Sequence, residues 1–262
     1  MGRRFVSQRV IGNRFSGGRV RVVAIVQARM SSTRLPGKVL NQIEGKTMLA
    51  RVVQRLSRSS LINEALIATT NLPADDAIVE ECRRSSVAVF RGNQEDVLDR
   101  YFRAAQASQA EAVVRITSDC PLIDPEVADK VIAAFLREKP DYASNRIVRT
   151  YPRGLDTEVM TMETLERAWR LADQPYERVH VTPYIYEHPA EFETVSVTGE
   201  ADFSQHRWTV DTPDDLEFVR AIYARMNSNP SFLWRDALAL IDREPGLAEL
   251  NRHVVQKALQ EG

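Results

Sequence analysis

RVVAIVQARMSSTRLPGKVL, residues 21–40, is the stretch that decides the fold. Residues 21–28 are a short, valine-rich apolar run, the composition of a strand buried on both faces of a parallel sheet. Residues 29–38 then turn abruptly polar and end in Pro36-Gly37 before Lys38. A buried strand that empties into a cationic, hydroxyl-rich loop is the opening of an α/β unit whose ligand sits outside the strand's carboxyl end.

Working outward, the pattern repeats. Met48, Leu49, Val52, Val53 and Leu56 recur at helical spacing, and residues 64–70 (EALIATT) read as the next strand. Asp75 and Asp76 open a helix with Ile78, Val79 and Cys82 on its apolar face, and residues 87–90 form a third strand. Val97, Leu98, Tyr101, Phe102 and Ala105 mark another helix before the strand at 112–117 (AVVRIT), and Val127, Val131, Ile132 and Phe135 mark the helix after it. This alternation predicts a mostly parallel central sheet flanked by helices, with right-handed crossovers. From about Tyr142 the rhythm loosens. Residues 158–160, 192–197 and 207–210 read as strands added to the same sheet. Leu216, Val219, Ile222, Tyr223 and Met226 predict a late amphipathic helix, and residues 232–241 and 247–259 two more.

Four constellations carry polar chemistry. In the loop from Ala28 to Lys38, Arg29, Arg34 and Lys38 stand among Ser31, Ser32, Thr33 and Gly37. Fixed positive charge, hydroxyl donors and close backbone approach are what a polyphosphate requires. The loop is neither a Walker A loop, since Ser32 and Val39 occupy its glycine and hydroxyl places, nor a GxGxxG turn. The second constellation is TSDCPLIDP at 117–125, where Asp119 leaves a strand end and could hold a hard cation through oxygen or serve in a turn. Asp124 precedes Pro125 and suits a helix cap. The third is WTVDTPDDL at 208–216: Thr212 and Pro213 read as cap and first helical residue, and Asp214 and Asp215 as first-turn acids. Asp211 lies outside that helix, free to supply a second carboxylate beside Asp119. The fourth is YPRGLDTE at 151–158, where Arg153, Asp156 and Glu158 either touch an acceptor or pair with one another. His180 stands alone in an apolar setting, the usual context of a packed histidine.

Composition narrows the classes. With 35 Lys+Arg against 36 Asp+Glu, the chain has no global basic field, which argues against a nucleic-acid partner. Its apolar runs are too short to span a bilayer, so no membrane insertion is expected. Two distant cysteines, Cys82 and Cys120, make neither a disulfide framework nor a zinc site and fit a reducing, cytoplasmic setting. Residues 1–21 hold six arginines and no acid, and are expected to be a basic, disordered extension. Residues 22–262 show no repeat or Gly/Ser/Pro-rich linker and are expected to form one domain with a helical C-terminal end.

These motifs, in this order, resemble the cytidylyltransferase superfamily, which includes CMP-KDO and CMP-sialic acid synthetases. The resemblance is closest to the spore coat polysaccharide branch. It rests on VAIVQARMSSTRLPGKVL, RITSDCPLIDP, YPRGLDTEV, HVTPYIYEHP and TVDTPDDLEFV, and spans about Val22 to Arg225. It implies a Rossmann-like nucleotide-diphospho-sugar transferase fold and transfer of CMP from CTP to an acidic sugar-like acceptor, with release of pyrophosphate. It implies that Arg29 and Lys38 meet the CTP phosphates, with Ala28, Ser31, Ser32 and Arg34 nearby. It also implies that Asp119 and Asp211 hold Mg²⁺. Arg115 joins the binding set, and with Arg153, Asp156 and Glu158 falls in the acceptor half. A homodimer is implied as well. Val179 departs from the branch, which often has an acid there. A metal-dependent glycosyltransferase, CMP transfer to a phosphonate or other acidic alcohol, and a non-catalytic nucleotide-binding homologue are the competing readings. The first usually presents Asp-x-Asp, where this chain has Asp119-Cys120-Pro121.

Overall fold

Alternate residues of the first strand, β1 (Val22–Gln27), feed two different cores. Val22, Ala24 and Val26 point to one face of the sheet and Val23 and Ile25 to the other, as the two-residue period of a strand demands. The computed structural model describes residues 19–227, 229 and 231–256. Among these, β1 lies between two parallel neighbours, β4 (Glu64–Thr70) and β6 (Ala112–Thr117), reached after a small hairpin of β2 (Gln42–Ile43) and β3 (Lys46–Thr47).

The seven-stranded sheet among the described residues runs β5-β4-β1-β6-β8-β7-β9, where β5 is Ala88–Gly92, β7 Tyr142–Ser144, β8 Glu158–Thr161 and β9 Thr194–Ser196. β8 is antiparallel to both neighbours and every other pairing is parallel. From β1 the chain steps outward through β4 to β5, then returns across β1 to β6. The order reverses there: β1 and β6 stay paired to Gln27 and Thr117, while the connections leaving them head opposite ways along the sheet and fork around the crevice where open α/β sheets hold their ligands. Tyr101 sits beneath that fork, its hydroxyl shared between the carbonyls of Ile25 (3.1 Å) and Ile116 (3.0 Å).

Helices α1 (Met48–Leu56), α2 (Asp76–Arg84) and α4 (Pro125–Glu138) cover one face; α3 (Val97–Ala107), α5 (Met162–Leu171), α6 (Pro175–His180) and α7 (Pro183–Glu187) cover the other. Their starts are fixed by local chemistry. Thr47, Asp96 and Thr161 accept from the third backbone N–H beyond them, and Asp124 accepts from Glu126 and Val127. A third apolar cluster packs α8 (Pro213–Arg225), α9 (Trp234–Arg243) and α10 (Gly246–Glu249) around Trp208, Tyr151 and Leu122. Among the described residues no helix is long and apolar enough to cross a membrane.

Two expectations change. Residues 207–210 are extended but join the sheet nowhere; they cross its carboxyl end and make one isolated bridge, Arg207 to Arg153. The helix expected over 247–259 is the short α10, after which 250–256 turn away, while 257–259 lie outside the described residues. Of the basic N-terminal stretch, 1–18 also lie outside them. Val20 packs on the core, and Arg21 donates to Glu64 at 2.5 Å.

Candidate active site

The loop after β1 is shaped by its own backbone. Met30 N–H donates to Asp75 (2.8 Å), a buried carboxylate that Thr69 and Thr70 also bind, and Met30 C=O accepts from both Ser32 and Gly37 at 2.9 Å. Gly37 takes a left-handed φ of 69°, where a β-carbon would be strained and would press on Met30 Cε at 3.2 Å. That turn sends Lys38 inward instead of into solvent.

Lys38 Nζ donates to Asp119 Oδ2 (3.1 Å), Asp211 Oδ1 (2.9 Å) and the Val210 carbonyl (2.7 Å), which uses all three of its N–H groups. Burial opposes its charge, but Asp119 and Asp211 outweigh that and hold its pKa above the ordinary lysine value. Burial likewise disfavours the Asp119 anion, yet Lys38 and the Thr117 hydroxyl bring its pKa below normal. The two carboxylates meet because the extended 207–210 segment docks on the end of β6: Val210 N–H donates to the Asp119 carbonyl at 2.8 Å. Asp211 also pairs with Arg34 (3.0 Å) and Arg207 (2.8 Å). Behind it, Asp215 accepts from Arg207 Nε (2.9 Å) and from the Asp211 and Thr212 N–H groups while Thr212 caps α8.

On the β8 side the cations are already committed. Glu158, 1% exposed, takes Arg115, Arg146 (2.7 Å), the Tyr142 hydroxyl (2.5 Å) and the Thr182 hydroxyl (2.6 Å). Asp156 takes both terminal nitrogens of Arg149, at 2.5 and 3.0 Å. Arg153 differs, having neither a hydrogen bond nor an ion pair on its side chain among the described residues. Its loop lies against the 207–209 backbone: Gly154 has φ 110°, and a β-carbon there would meet the Trp208 carbonyl carbon at 2.7 Å. Arg29, exposed at the opposite end of the cleft, is equally without such a partner among the described residues.

One cleft of about 440 Å³ runs from Arg29, Val97 and Arg100 past Lys38, Asp119 and Asp211 to Arg153, Val179 and Tyr186. The sequence profile of the cytidylyltransferases matches residues 23–238, most of the chain. The chain belongs to the cytidylyltransferase family. Spore coat polysaccharide biosynthesis protein SpsF of Bacillus subtilis is 34% identical over 236 residues, covering 87% of this chain and 96% of that protein. A cytidylyltransferase structure from Leptospira borgpetersenii superposes with a TM-score of 0.85 at 32% identity, covering 91% of this chain and 100% of that one. CMP:2-keto-3-deoxy-manno-octonic acid synthetase complexed with CTP shares the fold, with a TM-score of 0.61 at 19% identity over 78% of this chain and 99% of that one. The protein is thus a CTP-dependent nucleotidyltransferase.

In this cytidylyltransferase, Ala28, Arg29, Ser32, Arg34, Lys38, Arg115, Asp119 and Asp211 all line the cleft. Ser31 is exposed and is not among its lining residues. Arg115 lies in the cleft floor, mostly buried and bound to Glu158 and to Gln27 Oε1 (3.2 Å). Asp124 is the α4 cap, and it also accepts from Trp234 N–H at 2.8 Å. Arg100, Arg146 and Arg207 escape a reading of local motifs. Arg100 left a trace: it falls three residues after Val97, on the apolar face of α3, where a charge needs a reason. Arg146 and Arg207 left none, because their partners are set by tertiary contacts.

Proposed function

We propose that the protein transfers CMP from CTP to a hydroxyl of an acidic, sugar-like acceptor. The acceptor hydroxyl gives its proton to solvent as its oxygen bonds to the α-phosphorus, the bond from that phosphorus to the α,β-bridging oxygen breaks, and pyrophosphate leaves with that oxygen. The observation that carries this reading is the Lys38–Asp119–Asp211 cluster at the sheet's switch point, with an arginine on either side of it, Arg29 and Arg153, that is unpaired among the described residues.

Arg29, Ser32 and Arg34 offer the triphosphate charge and donors from the β1 loop. Arg153 offers the acceptor's acid group the one cleft guanidinium of the β8 side that no carboxylate holds among the described residues. The residues fit a divalent cation: two carboxylates within 3.1 Å of one ammonium already share a positive charge, and their donors are hard oxygens. No cluster of three or more His, Cys, Asp or Glu converges among the described residues, so phosphate and water oxygens would complete the shell. Such an ion, Mg²⁺ in this reading, would supply charge neutralisation at the α-phosphate. Lys38 would then turn to the phosphates, where its charge suits the leaving pyrophosphate.

The test is pyrophosphate release with each of four nucleoside triphosphates, Mg²⁺, and a panel of sugar acids, phosphonates and neutral sugars. Release with CTP and a sugar acid is expected. Release only with neutral sugars would overturn the acidic-acceptor reading, and release only with a phosphonate would move the substrate class to that alternative.

A further inference from the structure

The family profile ends at residue 238, yet the chain beyond it comes back to the site. Leu247 and Leu250 anchor α10 and the following turn in the third apolar cluster. The helix then stops, and Asn251 is drawn inward until it is 4% exposed. Its Nδ2 donates to the Arg207 carbonyl at 2.9 Å and to Asp215 Oδ1 at 3.0 Å. Five residues on, Gln256 lines the cleft and accepts from Arg207 Nη1 at 2.6 Å.

Those contacts converge on the groups that aim Asp211. Arg207 Nη2 donates to Asp211 Oδ2 at 2.8 Å, and Asp215 Oδ2 accepts from the Asp211 N–H at 2.9 Å. One amide therefore holds Arg207 by its backbone and Asp215 by its carboxylate, and these two fix Asp211 by side chain and by backbone. Helix stopping alone explains none of this geometry: a capping asparagine would bond its own helix, and Asn251 bonds neither α10 nor its neighbours through Nδ2.

We propose that residues 250–256 form a strap that positions Asp211, with Asn251 as its principal positioning residue and Gln256 as its outer contact. The strap rests on the reading of Asp211 as a metal carboxylate. Outer groups of this kind typically change metal affinity by about 10–100-fold. The order of effects follows from burial: Asn251 is enclosed and makes two bonds, whereas Gln256 is exposed and makes one.

The experiment titrates Mn²⁺ into full-length protein with CTP and no acceptor, read by electron paramagnetic resonance, so no turnover is needed. Asn251→Leu, near in size but unable to donate, is expected to weaken Mn²⁺ binding about tenfold. Asn251→Asp should weaken it at least as much, because it sets a second carboxylate against Asp215. Gln256→Ala should give a smaller loss in the same direction, and its exposed position keeps the test valid if the Asn251 variants fail to fold. Melting shifts in the Asn251 variants with unchanged Mn²⁺ binding in all three would overturn the strap. Asp211→Asn, run in parallel, separates the two failures. If it binds Mn²⁺ like the wild type, the metal reading of Asp211 falls and the strap with it. If it loses Mn²⁺ while the three strap variants bind normally, only the strap falls.

Discussion

Two clusters of cations and carboxylates share one cleft and are built to opposite ends. Glu158 is sealed: two arginines and two hydroxyls fill its shell, and its side chain is 1% exposed. Asp119 and Asp211 share a single ammonium instead, and their side chains stay 25% and 14% exposed. In the first cluster every partner is attached to the fold and none can be exchanged. In the second, one lysine ammonium bridges both carboxylates, Asp211 also meets Arg34 and Arg207, and a ligand can reach the carboxylates from the cleft. A carboxylate with a complete, buried shell is part of the scaffold; one that shares a removable cation can change what it binds.

The largest expected effect breaks the sealed cluster. Burial pushes the Glu158 carboxyl up, but Arg146, Arg115 and the two hydroxyls outweigh it and hold the pKa well below the ordinary 4.5. A depressed folded value means that this stabilisation is complete above the unfolded pKa and is lost as pH falls below about 4.5 toward the folded one. Glu158→Gln leaves the buried Arg115 guanidinium and the half-buried Arg146 short of their countercharge and should cost about 3 kcal/mol at pH 7 in urea denaturation. The gap between variant and wild type should narrow as the pH drops below 4.5. Equal stability at pH 7 would mean that the sealed cluster is not structural.

Next in size is the open cluster. Asp211→Asn should lower turnover on the order of 10²–10³-fold, the scale of losing one well-placed charge contact at a reacting phosphate. The fold should lose less than in Glu158→Gln, because Lys38 keeps Asp119 and Arg207 keeps Asp215. Near-normal turnover with Mg²⁺ in that variant would sink the two-carboxylate site.

The same contrast explains what the sequence discloses. Strand 64–70, strand 112–117, the loop at 29–38 and the Thr212-Pro213 cap are legible because their determinants are contiguous: apolar runs, turn glycines, capping hydroxyls. Asp119 and Asp211 stand out because each follows an apolar segment directly, Asp211 with no role in the helix after it and Asp119 with a turn as its alternative. Whether a charge is sealed or exchangeable is set at long range. Arg146 meets Glu158 twelve residues away, and Lys38 meets Asp211 across 173. The 207–210 segment has the alternation of a strand, yet its backbone bonds go to Arg153 and Asp119, which no local pattern announces. Residues 247–259 carry helical apolar spacing, but Asn251 is claimed by Arg207 and Asp215, and that tertiary pull overrides the propensity.

A third variant sharpens the comparison within the β8 side. Arg149 is tied to Asp156 whereas Arg153 is not, so only the second is available to an incoming acid. Arg153→Met should raise the acceptor KM roughly 10–100-fold, the worth of one charged hydrogen bond of about 1.5–3 kcal/mol, with the CTP KM unchanged. A matching rise in the CTP KM would place Arg153 on the nucleotide instead.

The smallest expected effect probes the exchange itself. If Lys38 sits where a divalent cation would be shared, the two compete, and free metal binds poorly until CTP draws the ammonium away. Coulomb attraction between unit charges 4 Å apart is worth about 4 kcal/mol at an effective dielectric of 20, part of which returns as repulsion between the carboxylates once the lysine is gone. Lys38→Met should therefore bind free Mn²⁺, without CTP, about tenfold more tightly than the wild type (1.4 kcal/mol), while its turnover falls because the phosphates lose a cation. Opposite signs in one variant distinguish competition from simple damage, since a misfolded site loses both. Arg115→Met supplies the contrast: it empties one place beside Glu158, but the shell there is completed by Arg146, Tyr142 and Thr182, and no metal affinity should appear. Mn²⁺ binding that is unchanged in Lys38→Met, or newly gained in Arg115→Met, would erase the distinction between an exchangeable cation and a built-in one.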